Sequence, residues 1–376
     1  MIYLDYASTT PLNNEVLKTY TTLLQKYFAN ADSMHDLGHE VEKLHEQARL
    51  QIGKLLNVKN TEIIFTSGAS EANSLAIKGF ALKNKKRGSH IITSCVEHSS
   101  VMNSFKQLED EFGFKVTLLP VNKHGQVELK DLLHALQSDT ILVSIMLVNN
   151  EIGSINNINE LADIVHENSR AVFHVDAVQG LGKVKINLEN IDMASFSAHK
   201  INGLKGSGFL YKKDNIQLLP LVNGGQQEQG IRGGTSNACT NIVLAKTLRI
   251  ALEKLEQNEI YIYELNKYIY KQLSDIKEIE MNSGEYCSKY IINFSCLYIS
   301  SEIMMNSLNN YGIMCSAQST CSSRTKKSSR VVQAIGKSDN IATNAIRISI
   351  SDLTTKEDID AFIKILKEII YGFKTK

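Results

Sequence analysis

An aspartate and a lysine follow two apolar segments of the chain, and together they could do chemistry. Asp176 comes directly after the apolar run 172–175, and Lys200 follows the run 193–196. In an open parallel sheet, side chains that follow the strands collect at the edge where ligands bind. There a lysine can form a Schiff base with pyridoxal phosphate, while a carboxylate keeps the ring nitrogen protonated so that the ring accepts electrons. Alone, Asp176 is as easily a strand-end cap and Lys200 a solvated side chain, so the pair carries the prediction.

Small residues after another apolar run indicate a phosphate site. Residues 66–70 precede a helical pattern, so backbone N–H groups and the helix dipole would favour an anion there. By itself such a turn is more often an ordinary helix cap. Ser70, Ser197 and His199 could supply further donors, and a glycine-rich stretch at 203–208 follows the lysine. This combination is hard to explain as packing and favours a phosphate-bearing cofactor.

The elements that position these residues follow from the spacing of apolar side chains. A helical period of apolar positions predicts an amphipathic helix over 36–57. Short apolar runs predict strands at 62–66, 90–93, 116–119, 141–148, 172–175, 193–196 and 208–211. Strands that alternate with helices predict an α/β fold whose parallel sheet is covered on both faces. Further along, the pattern predicts a helical stretch over 240–276, strands at 290–299 and 345–351, and a final helix from Thr355 that Asp358 helps to cap.

Composition and charge limit the classes of protein. A chain of 376 residues allows about two or three domains with a sizeable core. The net charge of +1 gives no overall field for nucleic acid or an anionic membrane, so we expect neither as a direct partner. The longest strongly apolar run, 141–148, is too short to cross a bilayer, and the N-terminus lacks a signal-peptide pattern. We therefore expect a cytoplasmic protein.

The cysteines predict reduced thiols, one of which is placed for chemistry. The chain has six cysteines and no CxxC pair, which argues against a disulfide framework and a zinc site. His35 and His39 share a helical spacing but lack the HExxH order, so we expect no metal. Cys321 lies in the polar stretch 316–323, and because free cysteines are usually buried, this setting favours a functional thiol.

Eight segments of the chain resemble a known family. They are YLDYASTTP (3–11), FTSGASEANSLAIKG (65–79), VEHSSV (96–101), VNNEIG (148–153), HVDAVQ (174–179), SFSAHKINGLKGSGFLY (195–211), GGQQEQGIRGGTSNA (224–238) and AIRIS (345–349). Together they resemble the class V, fold-type I pyridoxal-phosphate enzymes, and within that class the NifS/IscS-type cysteine desulfurases. The resemblance covers nearly the whole chain. It implies a large domain over 15–260 with a mostly parallel seven-stranded sheet, and a smaller α+β domain from 1–14 and 261–376 that carries the cysteine loop.

The resemblance also implies roles for individual residues. Lys200 is the Schiff-base lysine, Asp176 pairs with the ring nitrogen, and His98 stacks on the ring and shuttles protons. Gln179 and Asn150 would bind the ring hydroxyl. Arg347 would bind the substrate carboxylate, with a further contact from Asn150. The phosphate would be bound by the backbone of Ala69, by Ser70, Ser197 and His199, and by Thr235 from the other subunit of a homodimer.

Cys321 matches the position of the family's catalytic cysteine, but its surroundings depart from the family pattern. Gln318 and Thr320 stand where the family usually has glycine and alanine, so loop geometry and partner choice are in doubt. Basic residues between 324 and 330 could favour the thiolate or an acidic partner, although a solvated loop is the simpler interpretation. Cys315 could act as a second thiol, but a small hydrophobic residue at a strand end is simpler.

The implied activity is that of a cysteine desulfurase, which converts L-cysteine to L-alanine and holds the sulfur as a persulfide on Cys321. A sulfur-acceptor protein would receive it for iron–sulfur clusters or tRNA thiolation. Two alternatives remain open. One is another class V enzyme, such as a selenocysteine lyase or an aminotransferase, and the other is a non-catalytic sulfur-transfer scaffold. Lys200 and Asp176 do not separate the enzymes, whereas Cys321 does.

Overall fold

The computed structural model describes residues 1–317 and 328–374. In chain order the first half contains β1 (Ile2–Tyr3), α1 (Asn14–Lys26), α2 (Asp36–Leu56), β2 (Ile63–Thr66), α3 (Ala69–Ser74), α4 (Phe80–Asn84), β3 (His90–Ser94), α5 (Ser99–Phe112), β4 (Lys115–Leu119), α6 (Leu129–Ala135), β5 (Thr140–Ser144), α7 (Ile158–Asn168), β6 (Val172–Asp176), β7 (Met193–Ser197) and β8 (Gly208–Lys212). The second half contains α8 (Ala238–Glu253), α9 (Leu255–Ser274), β9 (Ile279–Met281), β10 (Ile291–Cys296), α10 (Ser301–Asn310), β11 (Ile313–Met314), α11 (Arg330–Ala334), α12 (Asp339–Thr343), β12 (Ala345–Ser349) and α13 (Lys356–Lys374).

A seven-stranded sheet forms the centre of the larger part of the molecule. Its strand order is β2-β8-β7-β6-β5-β3-β4. Strand β8 runs antiparallel to both of its neighbours, and all other neighbouring pairs are parallel. All residues of β2, β3, β5, β6, β7 and β8 are buried, because helices cover both faces of the sheet. The predicted α/β fold with a mostly parallel seven-stranded sheet is confirmed.

The carboxyl ends of β2, β3, β5, β6 and β7 meet at one edge of this sheet, since these strands run in the same direction. The segments that leave this edge carry the predicted phosphate turn, His98, Asn150, Asp176 and Lys200. The topology thus collects residues that are far apart in the chain.

A second, antiparallel sheet of order β12-β10-β9 lies in the C-terminal part, together with the parallel pair β1-β11. Its core is built from side chains of 262–370 and from Leu4 and Ala7 of the N-terminus. The packing of both chain ends into one core agrees with a small domain made from 1–14 and 261–376. The boundaries at 15 and 260 stay a prediction.

Most predicted elements match, with two differences. The helical stretch over 240–276 is two helices, α8 and α9, and the predicted strand 141–148 is shorter, since β5 ends at Ser144. The N–H groups of Ile145 and Leu147 still donate to the carbonyls of His174 and Asp176. Between them, the backbone of Met146 is bound by side chains: its N–H donates to Glu97, and its carbonyl accepts from Asn156. The predicted cap of α13 is present, because the Thr355 and Asp358 side chains each accept from the other's backbone N–H at 3.1 Å. Within 1–317 and 328–374, no helix is long and apolar enough to cross a membrane.

Candidate active site

A cavity of about 510 Å³ lies at the carboxyl edge of the seven-stranded sheet. Most residues predicted from the sequence line it, namely Ala69, Ser70, His98, Asn150, Asp176, Gln179, Ser197, His199, Lys200 and Arg347. The N-terminal segment contributes as well, since Ala7, Ser8 and Thr9 form part of the wall. The structure therefore brings ten predicted site residues together around one space.

Asp176 is the last residue of β6 and is held in place by two hydrogen bonds. Its Oδ1 accepts from the backbone N–H of Val178 at 3.1 Å, and its Oδ2 accepts from Nδ2 of Asn73 at 2.8 Å. Asn73 lies on α3, is fully buried, and also donates to Oγ of Ser100. Sequence reasoning missed Asn73, because nothing local in the chain marks a partner that is supplied by another element.

Lys200 ends a 3-10 turn, Ala198–Lys200, that follows β7 directly. Its Nζ donates to the backbone carbonyls of Ala7 and Ser8, at 2.6 and 2.7 Å. These carbonyls belong to the N-terminal segment YLDYASTTP (3–11), which resembles the N-terminal segment of the family. The amino group that is predicted to bind the cofactor is thus oriented by a segment almost two hundred residues away.

The predicted phosphate turn is shaped by two glycines and one carboxylate. Gly68 has a φ of +139°, and Gly208 packs so close that a Cβ there would lie 2.7 Å from Cα of Gly68. Glu71 accepts from the backbone N–H of Ser67 at 2.8 Å and is bound in turn by Arg232 at 3.0 Å. The turn is therefore rigid, and it presents Ser70 to the cavity beside Ser197, the last residue of β7.

The pKa values of the two histidines of the cavity are lowered below that of a free histidine, which favours their neutral forms. His98 caps α5, and its Nδ1 accepts from the backbone N–H of Ser100 at 3.2 Å. Burial lowers the pKa of His98, and Lys200 lowers it further, while Asp176 acts against them. Burial also lowers the pKa of His199 to about 4, with added repulsion from nearby lysines. A neutral His98 can accept a proton, as general base catalysis requires.

Arg347 lies on β12 and is almost completely buried, with 1% of its surface exposed. Nη1 donates to the carbonyl of Asn150 at 2.7 Å, and Nη2 donates to Oδ1 of Asp5 at 2.9 Å and to Oγ of Ser8 at 2.6 Å. Its Nε is buried and makes no hydrogen bond to the described part of the chain. Because Arg347 lines the cavity and its guanidinium is a planar donor, it is suited to receive an acceptor from a ligand.

Two predicted site residues remain, Thr235 and Cys321, and Cys321 lies outside the described residues. Thr235 is exposed and does not line the cavity of its own chain, which is compatible with its predicted use by a second subunit. Cys321, like Gln318, Thr320 and most of the basic cluster, lies outside the described residues. Cys315 is described, and burial raises the pKa of its thiol to about 12. A thiol that stays protonated is a poor nucleophile.

The described residues on either side of the Cys321 segment are tied to the site. Before it, Ser316 pairs with Arg347 through two backbone hydrogen bonds and donates its hydroxyl to Asp5 at 2.8 Å. After it, Ser329 donates to the carboxylate of Glu151 at 2.6 Å, and Arg330 donates to the carbonyl of Glu97 at 2.7 Å. Arg330, predicted as part of a basic cluster, is therefore held against the segment that carries His98.

The residues of the cavity fit pyridoxal phosphate. A lysine, a carboxylate, hydroxyls, two histidines and a glycine turn all line one space. That donor set matches a group with an aldehyde, a ring nitrogen and a phosphate. The fold and the cavity are therefore those of a fold-type I pyridoxal-phosphate enzyme.

Comparison with known proteins agrees with this class. The model of the family "Aminotransferase class-V" matches residues 2–362. A "NifS/IcsS protein homolog" of Lactobacillus delbrueckii subsp. bulgaricus is 40% identical over 99% of this chain and 98% of its own. "Cysteine desulfurase IscS" of Dictyoglomus turgidum is 39% identical over 100% of this chain and 95% of its own. A solved structure titled "NIFS-LIKE PROTEIN" is 34% identical, covers 99% of both chains and has a TM-score of 0.93.

The chain belongs to the class V aminotransferase family, in its cysteine desulfurase branch of the NifS/IscS type. Enzymes of this family depend on pyridoxal phosphate, so pyridoxal phosphate is the cofactor of this chain.

Proposed function

We propose that the protein converts L-cysteine to L-alanine and captures the sulfur as a persulfide on Cys321. The observation that carries this proposal is the position of Arg347, which lines the same cavity as Lys200 and Asp176. A small amino acid has a carboxylate for the guanidinium and an amine for the lysine's end of the site. The near-zero net charge of the chain fits such a zwitterionic substrate.

Substrate binding would rest on Arg347 and Asn150. A guanidinium presents donors in a planar fork that matches a carboxylate. Arg347 is already held from two sides by Asp5 and by the carbonyl of Asn150, so little of its motion has to be frozen on binding. The side chain of Asn150 lines the same cavity and would give a second contact.

Proton movement would rest on Lys200 and His98. Bound pyridoxal phosphate supplies an electron sink for the bonds at the substrate's α-carbon. Asp176, fixed by Asn73 and the backbone, would keep the ring nitrogen protonated. Lys200 would take the proton from the α-carbon, and neutral His98 would accept the proton of the substrate thiol.

In the sulfur step, the thiolate of Cys321 would attack the sulfur of the substrate. A sulfur–sulfur bond forms, the carbon–sulfur bond breaks, and its electron pair stays on the carbon that becomes the methyl group of alanine. The thiolate is the attacking form, so this step requires a deprotonated and reduced Cys321. Such a requirement fits the reducing cytoplasm, where we place the protein.

Two kinds of partner would complete this function. The exposed Thr235 would reach the phosphate in the cavity of a second copy, which makes the working form a homodimer. A sulfur-acceptor protein would then take the persulfide sulfur, for iron–sulfur clusters or for tRNA thiolation.

The test of the proposal is amino-acid analysis of protein loaded with pyridoxal phosphate and given L-cysteine under reducing conditions. We expect stoichiometric alanine and sulfide from the wild type, and no alanine from Lys200→Ala. Lys185→Ala removes an exposed lysine and serves as the matched control with wild-type turnover. Protein that cannot be loaded with the cofactor, or that forms no alanine, would favour the scaffold alternative.

A further inference from the structure

A second lysine holds one of the predicted cofactor ligands in a single orientation. Nζ of Lys183 donates to Oε1 of Gln179 at 2.8 Å, and Nε2 of Gln179 donates to the carbonyl of Ala7 at 2.8 Å. An ammonium only donates and a carbonyl only accepts. The amide oxygen of Gln179 therefore has to face Lys183, and its NH₂ group has to face Ala7.

Local structure explains why the two side chains meet. Residues 177–184 form tight turns closed by hydrogen bonds from the N–H groups of Leu181 and Val184 to the carbonyls of Ala177 and Gly180. In such a helical turn, residues four apart in the chain are neighbours. The Gln179–Lys183 contact is thus built into the turn that follows β6, whose last residue is Asp176.

Gln179 links Lys183 to the active site. The carbonyl of Ala7 accepts from Gln179 and also from Nζ of Lys200 at 2.6 Å. Gln179 lines the active-site cavity, whereas Lys183 lines a neighbouring cavity of about 520 Å³ that shares Lys200 as part of its wall. Lys183 therefore acts on the site through the amide of Gln179.

We propose that Lys183 is a positioning residue that, together with the carbonyl of Ala7, leaves the second N–H of Gln179 rather than its amide oxygen to meet the ring oxygen of bound pyridoxal phosphate. This inference rests on the cofactor and on the predicted role of Gln179, and it adds a residue that helps to set which end of the amide the cofactor meets. Without Lys183, the amide would keep its contact with Ala7 but lose the contact on its oxygen.

The charge of Lys183 is held in an unfavourable place, which argues against a purely structural role. Burial lowers its pKa to about 7, and the charges of Lys200 and Arg347 lower it further. Its partner is a neutral amide, and an apolar side chain of similar length would fill the same space with no charge to desolvate. A cation on the amide oxygen polarises the amide, which strengthens donation from its NH₂ group.

The test is a double-mutant cycle of Lys183→Met and Gln179→Ala, read by the pH midpoint of the visible absorbance of the loaded protein. Loss of a donor to the ring oxygen makes that oxygen more basic. We therefore expect Lys183→Met to raise the midpoint by about half a pH unit or more, and Lys183→Arg to restore it. In the Gln179→Ala background, the effect of Lys183→Met should largely vanish. Lys185→Met, at an exposed position two residues on, should leave the midpoint unchanged.

Three outcomes would overturn the proposal. One is an unchanged midpoint in Lys183→Met. The second is an equal shift with and without Gln179, which would show a charge effect independent of the amide. The third is wild-type protein that takes up no pyridoxal phosphate, which would remove the cofactor itself and is visible without any variant. If circular dichroism shows that Lys183→Met does not fold, Lys183→Leu, which also lacks a donor, carries the same comparison.

Discussion

Nη2 of Arg347 donates to Oδ1 of Asp5 at 2.9 Å, so the N-terminal segment holds the guanidinium that is predicted to bind the substrate. The same Oδ1 accepts from the hydroxyls of Ser8 and Ser316 at 2.8 Å. The carboxylate of Asp5 thus connects the N-terminal segment to Arg347 of β12 and to Ser316, which precedes the Cys321 segment. Loss of this carboxylate would loosen all three.

Asp5→Asn should raise the KM for L-cysteine about tenfold, with a smaller effect on kcat, because a neutral amide holds the guanidinium less firmly. Initial-rate measurements of alanine formation check this. Asp110→Asn breaks an exposed ion pair with Lys106, which contributes little to stability, and should behave as the wild type. An unchanged KM in Asp5→Asn would show that Arg347 needs no help from the N-terminus.

Asn73→Ala should weaken binding of pyridoxal phosphate about tenfold, because it removes a hydrogen bond to the buried carboxylate of Asp176. Absorbance titration of the cofactor-free protein measures the dissociation constant. Asn168→Ala removes an exposed asparagine that bonds only within its own helix turn, and it should bind the cofactor normally. Equal affinities for both variants would contradict the role of Asn73.

Glu97 should make the stability of the protein depend on pH. Burial raises its pKa from 4.5 to about 8, and Asp176 adds to the rise. A carboxyl with a raised pKa binds its proton more tightly in the folded chain. Its contribution is therefore complete below pH 4.5 and is lost as the pH rises toward 8.

Glu97→Gln should consequently gain in free energy of unfolding over the wild type as the pH rises through this range, because the amide keeps the acceptor for Ser94 and Met146 and carries no charge. Urea unfolding at several pH values measures the difference. Exposed Glu111→Gln should show no such trend. A difference that is independent of pH would mean that Glu97 does not titrate in this range.

Ser329→Ala should slow persulfide formation and leave the cofactor absorbance unchanged. Ser329 lies just after residues 318–327, and its hydroxyl bonds Glu151, the neighbour of Asn150. Loss of a hydrogen bond to a buried carboxylate costs about 1–3 kcal/mol. Rapid-quench measurements should separate Ser329→Ala from Ser328→Ala, which removes a hydroxyl that accepts from the exposed side chain of Gln333. If both variants form persulfide equally fast, the contact with Glu151 has no part in the sulfur step.

The sequence predicted the fold and the collection of Asp176, Lys200 and Ser197 at one sheet edge, because strand periodicity and strand-end motifs are local signals. His98 was predicted only through the family resemblance. The sequence did not predict the partners that orient these residues. Asn73 reaches Asp176 from another element, Asp5 reaches Arg347 from the opposite end of the chain, and Lys183 acts through a neighbouring amide. Such contacts depend on tertiary packing, which leaves no spacing pattern in the chain.

The lack of a local signal for tertiary partners also explains why β5 ends at Ser144 and not at the predicted residue 148. Residues 145–148 are as apolar as the strand before them, and Ile145 and Leu147 still donate to the backbone of β6. The backbone groups of Met146, however, bond to the side chains of Glu97 and Asn156 and not to another strand. Apolar composition predicts burial there correctly, while the hydrogen-bond partners come from residues that no local pattern identifies.

The central claim is that Cys321 receives the sulfur of L-cysteine. Peptide mass spectrometry after a single turnover, with the thiols trapped by an alkylating reagent, tests it directly. The account predicts one added sulfur atom on the peptide that contains Cys321, the same result in Cys315→Ala, and none in Cys321→Ser. Sulfur found on another cysteine, or alanine and sulfide released by Cys321→Ser as fast as by the wild type, would contradict it.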